Sequence, residues 1–180
     1  MNVQKAIFPG ILFSCLLLIL LSGSITNPQI VHGSPSNKEN QTGDCTISDQ
    51  YPQSIQKWCP IILANTEGTG LEAELIAAVM LQESGGNPQA YSSSGAVGLM
   101  QIMPRDGIAA SFICQNGPCF ASRPTMQELY DPEYNIAFGT RMLAGLVNKY
   151  GNHREALKAY GPMDVGYYYA DLVLSIMNRY

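Results

Sequence analysis

"AELIAAVMLQESGGNPQAYSSSGAVGLMQIMP", residues 73–104, joins a strongly apolar helical run to a loop rich in glycine and serine. Glu83 stands near the end of the run, and at about 100° per residue it shares a helix face with Ile76 and Val79. Burying an ionised carboxylate there without a partner is costly. Glu83 therefore either meets a structural partner or borders a cleft, and the spacing alone favours neither.

Helix signals dominate the chain from residue 45 onward, and no segment shows the period-two alternation of a strand. Capping boxes pair Thr69 with Glu72 and Thr125 with Glu128, and the first places the start of the central helix beside Thr69. That helix should end at the glycines that follow Ser84.

Three later helices have predicted N-caps. Asp131 is followed by proline at the first helical position, Asn152 stands three residues before a glutamate, and Asp164 precedes the last apolar run. We therefore expect a compact, mainly α-helical domain with a loop or small hairpin at residues 92–101.

The N-terminal residues 1–24 have the layout of a secretory signal peptide. Lys5 is the only charge before the apolar run 6–21, and small residues follow. The run is shorter than the roughly 20 residues that span a bilayer. An uncleaved anchor, or a lipoprotein modified at Cys15, are the alternatives.

The predicted mature chain consists of a linker and one domain. Residues 25–44 are polar and rich in Pro, Ser, Asn and Gly, which predicts a flexible linker before a domain at 45–180. The formal net charge of −4 becomes −5 without Lys5. No basic face suggests nucleic acid, and no phosphate-binding glycine motif is present. We expect an exported monomer without a cofactor.

Four cysteines remain once the signal peptide is removed. An even number in an exported chain favours disulfides over a metal site, and we prefer the local pairs Cys45–Cys59 and Cys114–Cys119 among the three connectivities. Zinc is the weaker interpretation, because no histidine neighbours Cys114 or Cys119. We expect both bridges to be structural and no metal to be bound.

A carboxyl in apolar surroundings has a raised pKa, which suits a general acid such as one that protonates a glycosidic oxygen. Most glycosidases need a second carboxylate. The candidates here are weak, because Asp131 and Asp164 are predicted caps and Asp106 and Glu133 sit beside turns or helix starts. A single-carboxylate route, with an acetamido group of the sugar as nucleophile, fits better.

The segment "ESGGNPQAYSSSGAVGLMQIMP", residues 83–104, resembles the core motif of the soluble lytic transglycosylase (SLT) domain family, related to goose-type lysozymes. Downstream, "DPEYNIAFGTRML" (131–143), "ALKAY" (156–160) and "YADLVL" (169–174) are similar to further family segments in the same order. The resemblance covers residues from about 70 to 180.

This resemblance implies a lysozyme-like helical fold that cleaves the β-1,4 bond between N-acetylmuramic acid and N-acetylglucosamine of peptidoglycan. Glu83 would be the single catalytic acid and base. It would protonate the leaving oxygen while the muramoyl acetamido group assists, and then take the C6 hydroxyl proton as a 1,6-anhydro ring closes. No metal or cofactor takes part.

The resemblance also implies substrate-binding residues. Ser84 would orient the acetamido group or Glu83, although a plain hydroxyl at the helix end is the alternative. Gly98, Met100 and Gln101 would line the glycan cleft, with core packing as the alternative for Met100. Tyr160 and Tyr169 match the two cleft tyrosines of the family. Tyr167 and Tyr168 are alternatives for the second position. Asn135 matches a motif residue with a structural role.

Two features depart from the family pattern. Where the family has asparagine after the tyrosine of its alanine-tyrosine-asparagine segment, this chain either has Gly161 in its place or has lost it in a short deletion. An unusual insert, "SFICQNGPCFASRP" (111–124), lies before the helix that begins near Asp131. We expect altered substrate preference. A muramidase that releases reducing ends, or a catalytically weak wall-binding module of a wall-crossing apparatus, are the alternative functions.

Overall fold

The structure, a computed structural model, describes residues 45–162 and 164–180. The predicted signal peptide and linker lie outside the described residues. The described α-helices, in chain order, are α1 Gln53–Gln56, α2 Cys59–Thr66, α3 Ala73–Ser84, α4 Met126–Leu129, α5 Pro132–Tyr150, α6 His153–Tyr160 and α7 Tyr168–Arg179. Between α3 and α4 lie a 3₁₀ helix, Gly107–Ser111, and an antiparallel hairpin of β1, Ile113–Cys114, and β2, Gly117–Pro118.

Helix α3 forms the centre of the domain. Its residues 75–80 are buried on every side of the helix, which is the pattern of a helix surrounded by protein. Helices α2 and α7 pack against it, while α5 packs against α2 and α6. The mainly α-helical fold class predicted from the sequence is therefore confirmed.

Three predicted caps are present in the structure. Thr125 and Glu128 make a full capping box at the start of α4. The side chain of Asp131 accepts a hydrogen bond from the Tyr134 N–H at 2.7 Å, ahead of the proline that opens α5. Asn152 accepts in the same way from the first turn of α6. These local signals set the positions of α4, α5 and α6.

The predicted capping box at Thr69 and Glu72 is wrong. The Thr69 hydroxyl donates to the Thr66 carbonyl oxygen at 2.7 Å and accepts from the Leu71 N–H at 3.2 Å, so it stabilises the turn after α2. Helix α3 begins only at Ala73, and no side-chain hydrogen bond caps it.

The predicted cap at Asp164 is also wrong. Helix α7 begins at Tyr168, and Tyr167 occupies the cap position without a side-chain hydrogen bond. Asp164 is exposed in the turn before it. The apolar period of α7 was correct, but an aspartate in the preceding turn did not mark its first residue.

The predicted loop at residues 92–101 contains two isolated β-bridges, Tyr91 with Val97 and Val97 with Ile102. The regular hairpin lies instead in the insert, where Ile113 faces Pro118 and Cys114 faces Gly117. The insert therefore forms a small structure of its own beside the loop.

The four cysteines lie in the two predicted pairs. The Cα atoms of Cys45 and Cys59 are 5.8 Å apart, and those of Cys114 and Cys119 are 5.0 Å apart, both within the disulfide range. The first pair ties the start of the domain to α2, and the second closes the hairpin.

The indole of Trp58, just before α2, donates a hydrogen bond to the Gly86 carbonyl oxygen at 3.1 Å. It thereby holds the chain that leaves α3. Within 45–162 and 164–180, no helix is both long enough and apolar enough to cross a membrane.

Candidate active site

Glu83 lies in the last turn of α3 and is partly buried. The hydroxyl of Tyr169 on α7 donates a hydrogen bond to Glu83 Oε1 at 2.5 Å. Burial raises the pKa of Glu83 to about 7, and the hydrogen bond from Tyr169 opposes this rise because it favours the ionised form. A carboxyl with such a pKa can donate and accept a proton near neutral pH.

The chain turns sharply immediately after Glu83. Gly85 ends α3 in the left-handed conformation, with φ of 61°. At Gly86, with φ of 84°, a β-carbon would lie only 2.2 Å from the Ser54 carbonyl oxygen, so α1 requires a glycine there. These two glycines let the helix end at the edge of the core rather than continue beyond Glu83.

Ser84 connects the end of α3 to the following loop. Its hydroxyl lies 2.8 Å from the Leu99 carbonyl oxygen and 3.2 Å from that of Met80, and it accepts from the Gly86 N–H. Among the described residues it makes no hydrogen bond to Glu83. The structure therefore places Ser84 as a support of the loop that faces Glu83.

Gly98 and Gln101 shape that loop, and both have positive φ, 77° and 47°. A β-carbon at Gly98 would lie 2.3 Å from Asn135 Nδ2. The side-chain amide of Gln101 donates to the carbonyl oxygens of Gly98 at 3.0 Å and Ala90 at 3.3 Å. Both of its N–H groups are used within the protein, so Gln101 has its Oε1 left as an acceptor.

Asn135 on α5 is fully buried and fixes the loop from behind. Its Nδ2 donates to the carbonyl oxygens of Val97 at 3.0 Å and Leu129 at 2.9 Å, and its Oδ1 accepts from the Met100 N–H at 2.9 Å. This agrees with the structural role expected from the sequence.

Met100 does not offer its side chain to a cleft. It is fully buried, and it packs so closely on α5 that a β-carbon at Gly139 would lie 2.4 Å from its sulfur. Gly98 is buried as well, and of the three predicted cleft residues in this loop only Gln101 is partly exposed. Met100 is therefore a core residue, the alternative considered from the sequence, because α5 covers its side chain.

Two stacked tyrosines complete the surroundings of Glu83. The ring centroids of Tyr160 and Tyr169 are 6.4 Å apart with 16° between planes, and the Tyr160 hydroxyl donates to the Met100 carbonyl oxygen at 2.8 Å. Burial raises the pKa of both tyrosines well above the usual value. Both hydroxyls therefore remain donors at neutral pH.

Of the three consecutive tyrosines, Tyr169 alone makes a hydrogen bond to Glu83 in the described chain. Tyr167 donates to Glu155 Oε1 at 2.6 Å and has the cation of Arg154 4.0 Å from its ring centroid. The side chain of Tyr168 is 72% exposed. The register of α7 thus selects the residue that the resemblance indicated.

The family model described as the transglycosylase SLT domain matches residues 60–165, which is more than half of the chain. The chain belongs to the SLT family.

Two curated relatives of this SLT chain are named as transglycosylases. The membrane-bound lytic murein transglycosylase E of Buchnera aphidicola is 33% identical over 147 residues, which cover 82% of this chain and 62% of the relative. The endo-type membrane-bound lytic murein transglycosylase A of Klebsiella pneumoniae is 38% identical over 113 residues, 63% of this chain and 54% of the relative. The chain thus spans less than two thirds of the length of these relatives.

A solved structure supports the SLT fold. An inactive mutant of the lytic transglycosylase Slt from Pseudomonas aeruginosa matches 66% of this chain and 23% of its own length, with a TM-score of 0.50 and 23% identity. This likeness concerns the fold, and it confirms the predicted lysozyme-like architecture.

This SLT domain departs from its family pattern at Gly161. A β-carbon at Gly161 would lie 2.4 Å from Cδ1 and 2.5 Å from Cγ of Tyr169. The tyrosine that contacts Glu83 therefore occupies the space into which an asparagine side chain would project. The sequence showed that asparagine was missing, but it did not show what fills its place.

The other carboxylates considered from the sequence do not act on Glu83. Asp131 caps α5, and Asp106 accepts from the Met126 N–H at 2.8 Å. Burial and Tyr169 account for the shift in the Glu83 pKa, with no contribution from another carboxylate in the described chain. Groups of three or more potential metal ligands are also absent from residues 45–162 and 164–180.

Arg123 was not predicted from the sequence as a site residue. A signal was nevertheless available, because Arg123 is the only charged residue between Asp106 and Glu128. The guanidinium lies near Tyr160, and each residue affects the pKa of the other.

Proposed function

We propose that this chain is an exported peptidoglycan lytic transglycosylase that cleaves the β-1,4 bond between N-acetylmuramic acid and N-acetylglucosamine. The observation that carries the proposal is the hydrogen bond from Tyr169 to the partly buried Glu83, whose pKa is about 7 and which has no carboxylate acting on it in the described chain. A glycosidase with one such carboxyl can use a nucleophile from the substrate, and the N-acetyl group of the muramic residue supplies one.

In the first step, protonated Glu83 gives its proton to the glycosidic oxygen. The bond from C1 to that oxygen breaks as the acetamido carbonyl oxygen of the same sugar bonds to C1. Glu83 is now a carboxylate, and the hydrogen bond from Tyr169 stabilises its charge.

In the second step, Glu83 takes the proton of the C6 hydroxyl. The O6 atom bonds to C1, and the bond from the acetamido oxygen to C1 breaks, so the sugar closes as a 1,6-anhydro ring. Glu83 is again protonated. In this scheme the hydrogen bonds of Ser84, Gln101 and Tyr160 hold the loop at residues 98–101 near Glu83. Tyr160 also supports the ring of Tyr169 by stacking on it.

The names of the relatives support this substrate, since both are called lytic murein transglycosylases. Both names also include the term membrane-bound. We propose that this chain is also located in the cell envelope. Residues 1–24 would be its signal peptide, and residues 25–44 would link that peptide to the domain at 45–180. Export to an oxidising compartment would allow Cys45–Cys59 and Cys114–Cys119 to form disulfides. The domain acts as a monomer on glycan strands.

The test is mass spectrometry of purified peptidoglycan digested by residues 45–180. We expect muropeptides with 1,6-anhydro ends, which borohydride does not reduce. Glu83→Gln should abolish them, whereas Glu72→Gln, at the start of the same helix and without a cap hydrogen bond, should not. Reducible ends alone would indicate a muramidase, and binding without cleavage would indicate a wall-binding module. Either result would refute the transglycosylase.

A further inference from the structure

Arg123 is an isolated cation in an uncharged part of the chain. Residues 107–122 and 124–127 carry no charge, and Arg123 lies between the Cys114–Cys119 pair and the start of α4. The exposed side chains nearby, Ile108 and Ile113, are apolar. A single arginine retained in such a segment needs a physical explanation.

The guanidinium of Arg123 is held between two aromatic rings. Its Cζ lies 5.9 Å from the ring centroid of Phe120 and 5.9 Å from that of Phe138, and Nη1 donates toward the sulfur of Met142. Both distances are at the outer limit of a cation–π contact. Sulfur is a weak acceptor, so this contact leaves most of the donor capacity of the guanidinium unused.

No carboxylate compensates this cation. Across 45–162 and 164–180 the structure shows one ion pair, Arg154 with Asp171, and it lies elsewhere on the surface. Arg123 is partly buried, and burial lowers its pKa. A partly desolvated guanidinium without a counter-ion is costly, and an incoming anion would remove that cost.

Arg123 also lies beside the proposed active site. Its partner Met142 is one turn along α5 from Gly139, on which Met100 packs. The Met100 carbonyl oxygen accepts from Tyr160, which stacks on Tyr169. The charge of Arg123 also acts on the Tyr160 hydroxyl, so the guanidinium is close to the ring that stacks on Tyr169.

We propose that Arg123 is a substrate-binding residue whose guanidinium receives a carboxylate of the glycan strand. This inference rests on the proposed function, because peptidoglycan carries its anions on the muramic residue. The lactyl carboxyl of muramic acid is amide-linked to the peptide wherever one is attached, so the free carboxylates of native strands are those of the peptide, and a lactyl carboxylate is free only where the peptide is absent. The fixed fork of an arginine matches the two oxygens of a carboxylate.

The test compares kcat/KM on three substrates. These are native peptidoglycan, the same material with its carboxyl groups converted to carboxamides, and strands from which an amidase has removed the peptides. Wild type should prefer native over amidated material by roughly tenfold, the order of one charge-assisted hydrogen bond. Arg123→Gln should remove that preference, mainly through KM, while Arg141→Gln, an exposed arginine of α5, should leave it unchanged.

The stripped strands test the other source, because the amidase frees a lactyl carboxylate that is an amide in the native strands. A loss of kcat/KM by Arg123→Gln on native strands alone assigns the peptide carboxylates, and a loss on stripped strands as well assigns the lactyl carboxylate too. Arg123→Lys keeps the charge without the planar fork and should show a smaller preference than wild type, which decides the matter should the glutamine variant fail to fold.

Three results would overturn the assignment. They are equal rates of wild type on native and amidated material, an Arg123→Gln variant that loses the same factor on both, and an Arg123→Lys variant with wild-type KM and preference. Failure of the proposed function looks different, since wild type would then release no anhydro product from any of the three substrates.

Discussion

The hydroxyl of Tyr169 donates to Glu83 Oε1 across 86 residues of sequence, and it joins the last helix of the domain to the central one. The bond stabilises the ionised form of a carboxyl whose burial favours the protonated form. Two opposed effects therefore set the pKa of Glu83 near 7, and each can be changed by a single substitution.

Glu83→Gln should make the domain more stable at high pH. The folded-state pKa of about 7 lies above the unfolded value of 4.5, so the folded state binds more protons between those limits. Wild-type stability should therefore fall as pH rises from about 4.5 through 7, by about 2 kcal/mol after allowance for partial exposure.

The measurement for Glu83→Gln is urea unfolding at pH 4 and pH 8. The variant should lack this component of the pH dependence, while Glu72→Gln should behave as wild type. An identical decline of stability in wild type and Glu83→Gln would show that folding does not raise the pKa of Glu83, contrary to the effect of its burial.

Tyr169→Phe should move the alkaline limb of the activity profile to higher pH. Loss of the hydrogen bond disfavours the carboxylate, so the pKa of Glu83 rises further above its usual value. We expect kcat to fall roughly tenfold at neutral pH, since the carboxylate of the second step loses a donor. The check is kcat against pH for both proteins.

For Tyr169→Phe, Tyr168→Phe is the matched control, because the Tyr168 side chain is 72% exposed. It should leave the profile unchanged. If the alkaline limb of Tyr169→Phe moved to lower pH, the hydrogen bond from Tyr169 could not be lowering the pKa of Glu83.

Gly161→Ala should disturb the active site although Gly161 touches no substrate in the proposed mechanism. The new methyl would lie 2.4 Å from Tyr169 Cδ1, so the ring must move away from its position against Glu83. We expect roughly a tenfold loss of kcat. In the Tyr169→Phe background the added methyl should have a smaller effect on kcat, because the hydrogen bond is already absent.

Gly145→Ala provides the control for Gly161→Ala. Gly145 lies in α5 with nothing within 4 Å of an added β-carbon, and alanine there should stabilise the helix by about 0.5–1 kcal/mol. Full activity in Gly161→Ala would mean that the Tyr169 ring has room to shift without loss of the Glu83 contact.

Asn135→Ala should unfold or loosen the loop opposite Glu83. It removes three buried hydrogen bonds and leaves the Met100 N–H without its partner. We expect a loss of about 3 kcal/mol in the free energy of unfolding. Asn148→Ala, on the exposed side of the same helix, should cost much less. Comparable losses in the two variants would remove Asn135 from its supporting role.

The sequence predicted the helical class, three caps and the residues around Glu83 because these depend on local signals or on motifs. It failed at Thr69 and Asp164, where a polar side chain beside a turn has several backbone partners to choose from. Their actual partners depend on how α2 ends and where α7 docks, and neither is a local property.

Side-chain packing limited the site prediction in the same way. Met100 is covered by α5, and Gly161 leaves room for Tyr169, yet these contacts join segments 39 and 8 residues apart whose mutual approach only the fold determines. The register of the three tyrosines was likewise set by α7. The residues that the family motifs indicated therefore do lie around Glu83, but which of them contact Glu83 and which are covered by the core depends on tertiary contacts.

Trp58 is the only tryptophan of the chain, and its indole is bonded to the carbonyl oxygen of Gly86, three residues beyond Glu83. Indole fluorescence responds to its hydrogen bonding and to nearby polarity, and the emission of this protein comes mainly from this one side chain. A glycan that shifts the end of α3 would change that emission. A fluorescence titration of the Glu83→Gln variant would then follow substrate binding without any added label.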